Sequence, residues 1–442
     1  MKFSLSTRYT RLSLVALVAL ALLTLSGWLV SFSGSQAACQ SWPLCVPSNF
    51  QNGINLLHRI AGAIAAISIL ALMQQAWSRR RDDRVLLPLA TVVGVFYFAE
   101  IFVGALVAVR SELSYMPVLH DITALLLWAG MIGLFVYAAM FAGDGLVTFP
   151  PIDWRQRSKD FLALTKPVIV LLLLVTTFAG MVAAEKGMPP IWTMIWTLIG
   201  GALASGGSGA LNQYIDRDLD QYMQRTAKRP LAAGRMTAAE GLAFGLAASI
   251  ISFYILAGLV NLLAAVLALI GIIYYVVLYS ILLKKATVQN IVIGGGAGAI
   301  PPLVGWAAVT GRLDAPAIFM FAIIFLWTPP HFWALALVRK QDYARAGVPM
   351  LPVVKGELAT RKQVLIYTVE LVALTLLMPV FHLAGSIYLI CALVLGAGLI
   401  YAAWRVYRIQ GNKVAWQMYR WSSMYLMFIF LALVLDALIK IR

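Results

Sequence analysis

The stretch Asn212-Gln-Tyr-Ile-Asp216-Arg-Asp218-Leu-Asp220, followed by Arg225-Thr-Ala-Lys228-Arg229-Pro230, closes a strongly apolar run that begins near residue 190. Acidic residues are scarce, 18 Asp and Glu in 442 residues, so three of them at the mouth of an apolar segment need a reason. Asn212, Asp216 and Asp220 fall at i, i+4 and i+8 and stack along one face of a helix. Two carboxylates one turn apart on that face repel each other until a cation lies between them. Mg²⁺ suits such a pair, because it takes one or two carboxylates and completes its shell with waters and phosphate oxygens. The basic run downstream supplies complementary charge for a diphosphate. A solvated loop beside a membrane would carry the same residue types, and the three-point helical spacing is what favours a site.

The rest of the chain places this motif in a membrane. Hydrophobic residues make up 62% of it and charged residues 12%, which excludes a soluble globular protein. Apolar runs long enough to cross a bilayer as helices recur throughout, about thirteen of them. They lie near 12–33, 54–77, 86–109, 118–142, 166–184, 190–212, 239–260, 262–283, 288–309, 315–338, 364–383, 385–404 and 419–440. The fold class is therefore an all-α polytopic membrane protein.

Basic residues fall at alternate ends of these runs. Lys2, Arg8 and Arg11 precede the first; Arg79 to Arg81 and Arg84 follow the second; Arg155, Arg157 and Lys159 follow the fourth. Arg217 to Arg235, Lys284 and Lys285, Arg339 to Arg345, and Arg405 and Arg408 continue the pattern. By the positive-inside rule that side is cytoplasmic, so the N-terminus is inside and the C-terminus outside, in a multi-pass protein of the cell membrane. The formal charge of +16 then reflects topology and contact with anionic lipid, not nucleic acid. The first run is too long for a signal peptide, and Ala37-Ala38 leads straight into further structured sequence, so it reads as retained.

Turn formers and charge at Gly143-Asp-Gly and Phe149-Pro150-Pro151-Ile-Asp-Trp-Arg break the apolar pattern. They separate a four-span bundle, 1–145, from a nine-span bundle, 161–442, with 146–160 as linker. In the first, His58 and His120 lie at the same depth of two spans running in the same direction. Two facing histidines in a four-helix membrane bundle suit axial ligation of a haem. Hydrogen-bonded interhelical histidines are the plainer alternative. Cys39 and Cys45 lie in the outer loop with Pro43 between them, where a disulfide is plausible and zinc is not. Cys391 reads as packing.

Ala38-Cys39-Gln-Ser-Trp-Pro-Leu-Cys45, Leu57-His58-Arg59 and Leu119-His120 resemble the amino-terminal half of the haem A synthases. That family has eight spans in two similar halves and a glutamate three residues before its first histidine. Here one half is present and Asn55 stands at that position. The resemblance implies haem binding by His58 and His120 more than oxidation of a haem methyl group, with a second copy or a haem A synthase partner to complete a site.

The acidic motif resembles the first aspartate-rich signature of the intramembrane aromatic prenyltransferases. Tyr279 to Asn290, Gly294 to Pro302, Trp327-Thr-Pro-Pro-His331-Phe-Trp333 and Asp342 to Pro352 resemble the haem O synthases (protohaem IX farnesyltransferases) within that superfamily. This implies a nine-helix prenyltransferase bundle that moves the farnesyl group of farnesyl diphosphate onto a vinyl group of protohaem IX. Asn212, Asp216 and Asp220 become the catalytic group, with Mg²⁺ on Asp216, Asp220 and, where the superfamily has a second aspartate pair, Asp342; position 338 is Val. Arg225, Lys228, Arg229, Lys284 and Lys285 become diphosphate contacts, and His331 a haem-positioning residue. Gly294 to Gly298 opens a membrane span and follows no soluble strand, so it fails as a nucleotide-binding loop and reads as close helix packing.

Other readings remain. A quinone-pathway prenyltransferase shares the motif, and the tryptophan-flanked His331 string argues against it. A membrane cation transporter fused to a bis-histidine cytochrome-like bundle uses similar residue types. Transporters place ionisable groups at mid-bilayer on broken helices, whereas these carboxylates end a helix beside a basic loop.

Overall fold

The computed structural model describes residues 5–35, 38–39, 41–109, 113–141 and 153–439. Among these residues thirteen helices are long and apolar enough to cross a membrane, and no strand occurs. The protein is an all-helical, multi-pass membrane protein. Its helices are α1 (Arg8–Phe32), α2 (Phe50–Arg79), α3 (Leu86–Val109), α4 (Met116–Phe141), α5 (Trp154–Leu164), α6 (Pro167–Glu185), α7 (Ile191–Asp220) and α8 (Ala238–Leu259). There follow α9 (Leu262–Ile273, continued as a π-helix over Tyr274–Leu283), α10 (Asn290–Gly294), α11 (Gly296–Ala299), α12 (Pro301–Thr310), α13 (Ala315–Val338), α14 (Lys340–Arg345), α15 (Leu351–Val354), α16 (Gly356–Val380), α17 (Ser386–Arg408) and α18 (Asn412–Ile439).

Contacts divide the chain into two compact units, 1–158 with 236–254, and 159–235 with 255–442. The first unit thus takes most of α8 as well as the four amino-terminal spans. Of the linker read from sequence, 146–152 and the turn formers from Gly143 to Pro151 lie outside the described residues, as do Lys2 and Ala37. The remainder is not all loop: α5 starts at Trp154, with Asp160 and Leu164 buried on one face and Arg155 and Lys159 exposed.

In the first unit one core draws small and large residues from α1 to α4. Ala16, Ala19, Ala65 and Ala76 meet Leu86, Val93, Tyr97, Leu127 and Met131, all under a tenth exposed. Apolar side chains also cover the outside, as with Ile67 (71% exposed) and Leu125 (70%). In water that surface would aggregate, and in a bilayer it is the lipid face.

In the second unit α6 and α12 cross backbone to backbone. A Cβ added at Gly305 would lie 2.0 Å from the Thr177 carbonyl oxygen, and one at Gly180 would lie 2.5 Å from that of Pro302. Helices in lipid gain little from apolar burial and depend on such close approach. Backbone atoms cannot step aside as a flexible side chain can. Gly305→Val is therefore expected to destabilise by at least the upper end of about 1–3 kcal/mol for overpacking. Loss of a monodisperse peak in detergent gel filtration would show it, and an unchanged unfolding temperature would refute the crossing.

The ninth span is broken into α10, α11 and α12 around its glycines. Cβ atoms at Gly294, Gly295 and Gly296 would lie 2.3, 2.8 and 2.6 Å from Tyr279, Thr328 and Tyr274 side-chain atoms. The close-packing reading of this run is what the structure has.

Candidate active site

The helix α7 carries the acidic motif to its last residue, which puts Asn212, Asp216 and Asp220 on one buried face at 3%, 2% and 0% exposure. Asp218, off that face, has a side chain 78% exposed. The i, i+4, i+8 reading thus separates the site residues from their neighbour.

Two basic side chains neutralise the carboxylates. Lys284 Nζ donates to Asp216 Oδ2 at 2.5 Å, and Arg229 donates to Asp220 Oδ2 at 2.7 Å. Asn212 Nδ2 donates to Asp216 Oδ2 (2.8 Å) and to Ser280 Oγ (2.9 Å). Its Oδ1 accepts from Lys166 Nζ at 2.6 Å, so both ends of the Asn212 amide are engaged. Asp220 Oδ1 is buried with no hydrogen-bond partner among the described residues. An unpartnered buried carboxylate oxygen one turn from a second carboxylate is a fitting donor set for Mg²⁺, which takes its other ligands from water and phosphate.

The other basic residues read from sequence divide by position. Arg225, Lys228 and Lys285 are exposed, while Arg229 and Lys284 are partly covered and paired. The Lys228 carbonyl accepts from both terminal nitrogens of Arg235 at 3.2 Å, and Arg235 is in turn held by Asp160 at 3.0 Å. Asp342 is buried and paired with Arg345 (2.5 Å) and, more loosely, Arg339 (3.8 Å), all within one stretch of backbone. Burial pushes the neighbouring Tyr343 phenol up, and the Arg225 charge opposes the rise.

Lys166 escaped the sequence reading. It is in the left-handed region (φ 56°) at the start of α6, an uncommon conformation for a lysine. That conformation turns the chain from α5 into α6, where Gly209 lets α7 pass within 3.2 Å (as a Cβ) of the Thr165 carbonyl. Its ammonium reaches Asn212 and, at 3.2 Å, Tyr275 OH. Burial, helped by Arg229, pushes it down to about 7, against the pull of Asp216 and Asp220. The signal in the sequence was a lone cation immediately before a proline at the mouth of a span. Tyr275 and Ser280 were missed too, because they reach the site only through the π-helix, whose widened turn Ser280 Oγ spans to the Tyr275 carbonyl (2.8 Å).

His331 is buried in α13, its ring stacked 4.2 Å from Trp327 and 4.5 Å from Tyr419. Ser422 Oγ donates its proton to the Tyr419 carbonyl (2.8 Å), so it accepts from His331 Nδ1 (2.7 Å). This leaves Nε2 as the lone-pair nitrogen. Cys39 and Cys45 are joined in a disulfide, with Cα atoms 6.0 Å apart. Arg59 donates to the loop carbonyls of Ser41 (2.6 Å), Pro43 (3.2 Å) and Cys39 (3.3 Å), which ties that loop to the residue beside His58.

In the first unit His58 Nδ1 lies 3.0 Å from Ser26 Oγ, whose proton goes to the Leu23 carbonyl (2.7 Å). His120 Nδ1 lies 3.1 Å from Glu100 Oε1. Both rings thus turn Nδ1 toward an acceptor on a neighbouring helix, hydrogen-bonded for His58 and in close contact for His120, an orientation that suits axial haem ligands. Asn55 is buried and donates to the Ser35 carbonyl (2.7 Å) and the Gln51 carbonyl (3.2 Å), so it holds the loop.

Residues 173–431 match the UbiA prenyltransferase family. A protohaem IX farnesyltransferase of Roseiflexus castenholzii is 40% identical over 97% of this chain and 84% of its own. One of Symbiobacterium thermophilum is 51% identical over 64% of this chain and 95% of its own. The Roseiflexus match extends into the four-span part, so that part is shared with a relative. A solved digeranylgeranylglyceryl phosphate synthase structure covers 64% of this chain and 99% of its own at a TM-score of 0.55 and 18% identity, a likeness of fold. A buried carboxylate face at the end of α7, the helical fold around it and these relatives agree: the chain belongs to the UbiA prenyltransferase family, in its protohaem IX farnesyltransferase branch.

Proposed function

We propose that the second unit transfers the farnesyl group of farnesyl diphosphate to a vinyl group of protohaem IX, releasing diphosphate and forming haem O. The observation that carries this reading is the buried carboxylate face with its unpartnered Asp220 oxygen, ringed by Lys166, Arg229 and Lys284. Asp216 and Asp220 would hold Mg²⁺, which supplies positive charge to the diphosphate when bound. Lys166, Arg229 and Lys284 stabilise the negative charge that grows on the leaving oxygens as the C1–O bond breaks. Arg225, Lys228 and Lys285, being exposed, meet the diphosphate on its way in. The electron-rich vinyl group forms the new bond to C1, and water adds to the resulting cation with loss of a proton. His331 presents Nε2 to the haem iron between two aromatic rings, and those rings also suit a flat macrocycle. Asp342, closed by its own arginines, serves the diphosphate end only if Arg345 releases it.

The first unit, on this reading, holds a haem between His58 and His120. The termini of the whole chain follow from charge and its thirteen spans, the N-terminus cytoplasmic and the C-terminus outside. Farnesylated haem barely leaves a membrane, so tethering raises its concentration at the next site. One half of a two-half synthase lacks the rest of an oxidation site, which a second copy or a haem A synthase would complete. In a host lacking its own haem O and haem A synthases, expression of this chain is expected to accumulate haem O with little haem A, read by mass spectrometry of extracted haems. Absence of farnesylated haem would overturn the first claim. Abundant haem A would show that the four-span part oxidises the methyl group unaided.

A further inference from the structure

Glu100 is a carboxylate in the apolar run Phe96-Tyr-Phe-Ala-Glu100-Ile-Phe-Val of α3. An ionisable group within a membrane span is expensive and persists where it has a task. Its side chain is 13% exposed and points at His120.

The two histidine pockets of the first unit repeat one plan. His58 on α2 lies against Gly27 of the preceding span, where a Cβ would come within 3.1 Å of its Cε1. His120 on α4 lies against Gly104 of its own preceding span, at 3.2 Å by the same measure. Each ring therefore packs flush on the helix before it and turns Nδ1 to an acceptor on that helix. The acceptors differ. Ser26 offers a neutral hydroxyl oxygen, with its proton already given away. Glu100 offers a carboxylate at 3.1 Å, and its second oxygen, Oε2, is buried with no partner among the described residues. The approach is off the ring N–H axis, since His120 Nδ1 has close contact without an aligned hydrogen bond.

A carboxylate behind a ligating imidazole fixes its tautomer and raises its basicity. A hydroxyl fixes the tautomer with little change in basicity. We infer that Glu100 is a positioning residue that makes His120 the stronger of two unequal axial donors, and that it biases the haem of the first unit toward the ferric state. The inference rests on the reading that His58 and His120 hold a haem. It also accounts for how this unit carries a carboxylate although position 55 is Asn: the acid comes from α3 and serves the other histidine.

The test uses the purified full chain with the haem it retains, followed by redox titration of the low-spin absorbance band and by electron paramagnetic resonance. Glu100→Gln keeps an acceptor oxygen and removes the charge, so haem should stay bound through both histidines while its midpoint potential rises. Glu100→Leu removes the acceptor as well and should weaken haem retention by about 10–100-fold. Glu100→Asp keeps the charge and should leave the potential below that of Glu100→Gln, which guards against reading a folding defect as a redox effect. Ser26→Ala should move the potential less than Glu100→Gln. An unchanged potential in Glu100→Gln, or an equal shift in Ser26→Ala, would overturn the role of Glu100 while the bis-histidine haem stands. A wild-type chain without low-spin haem would overturn both together.

Discussion

Asp216→Asn and Asp220→Asn each lower farnesyl transfer by about 10²–10³-fold, the loss expected when several kcal/mol of charge stabilisation at the leaving group is removed. Asn is the right replacement because each carboxylate also holds a covered cation, and the amide oxygen still accepts from it while the charge is lost. Removing Asp216 leaves Lys284, 12% exposed, without its partner, and removing Asp220 does the same to Arg229 at 21%. Breaking a buried pair is destabilising by about 3–5 kcal/mol, so alanine would confound chemistry with folding. Single-turnover rates on detergent-purified variants, beside their unfolding temperatures, separate the two. Normal turnover in either variant would remove it from the metal site. Asp218→Asn is the internal comparison: on the exposed side of the same helix turn, it should leave the rate nearly unchanged.

The second large effect concerns the first unit. His58→Ala with His120→Ala should abolish the low-spin haem of the full chain while farnesyl transfer continues, because those residues belong to the first unit and the acidic face to the second. Each single variant should leave a five-coordinate, high-spin species, since one Nε2 remains. The absorption and paramagnetic resonance spectra of the reduced and oxidised forms decide it. Low-spin haem persisting in the double variant would make the first unit a scaffold.

Both predictions rest on features the sequence displays unequally. The stacking of Asn212, Asp216 and Asp220 is legible because helical period alone fixes it, and the burial of those three against the exposure of Asp218 follows the same period. The spans are legible because a bilayer demands apolar length. Their ends are not: α16 starts at Gly356, eight residues before its apolar run, since Glu357, Arg361 and Lys362 form polar helical turns that hydropathy cannot distinguish from loop. Lys166 and Glu100 were invisible for a different reason. Each acts on a residue of another helix, 46 positions away for Lys166 and Asn212, and no local pattern announces such a pairing. The π-helix that brings Ser280 to Asn212 and Tyr275 to Lys166 changes residue facing by one position, which a 3.6-residue reading places elsewhere. Lys284 and Arg229, read from sequence as diphosphate contacts, also lie directly against the two carboxylates.

The most direct measurement is a defined reaction: purified chain, protohaem IX, farnesyl diphosphate and Mg²⁺ in detergent or nanodiscs, with extracted haems resolved by mass spectrometry. The account predicts one haem product heavier by a farnesyl group and a hydroxyl group, formed with release of one diphosphate and lost when the metal is chelated. Protohaem recovered unchanged from an otherwise folded enzyme, or farnesyl transfer at full rate without a divalent cation, would contradict it.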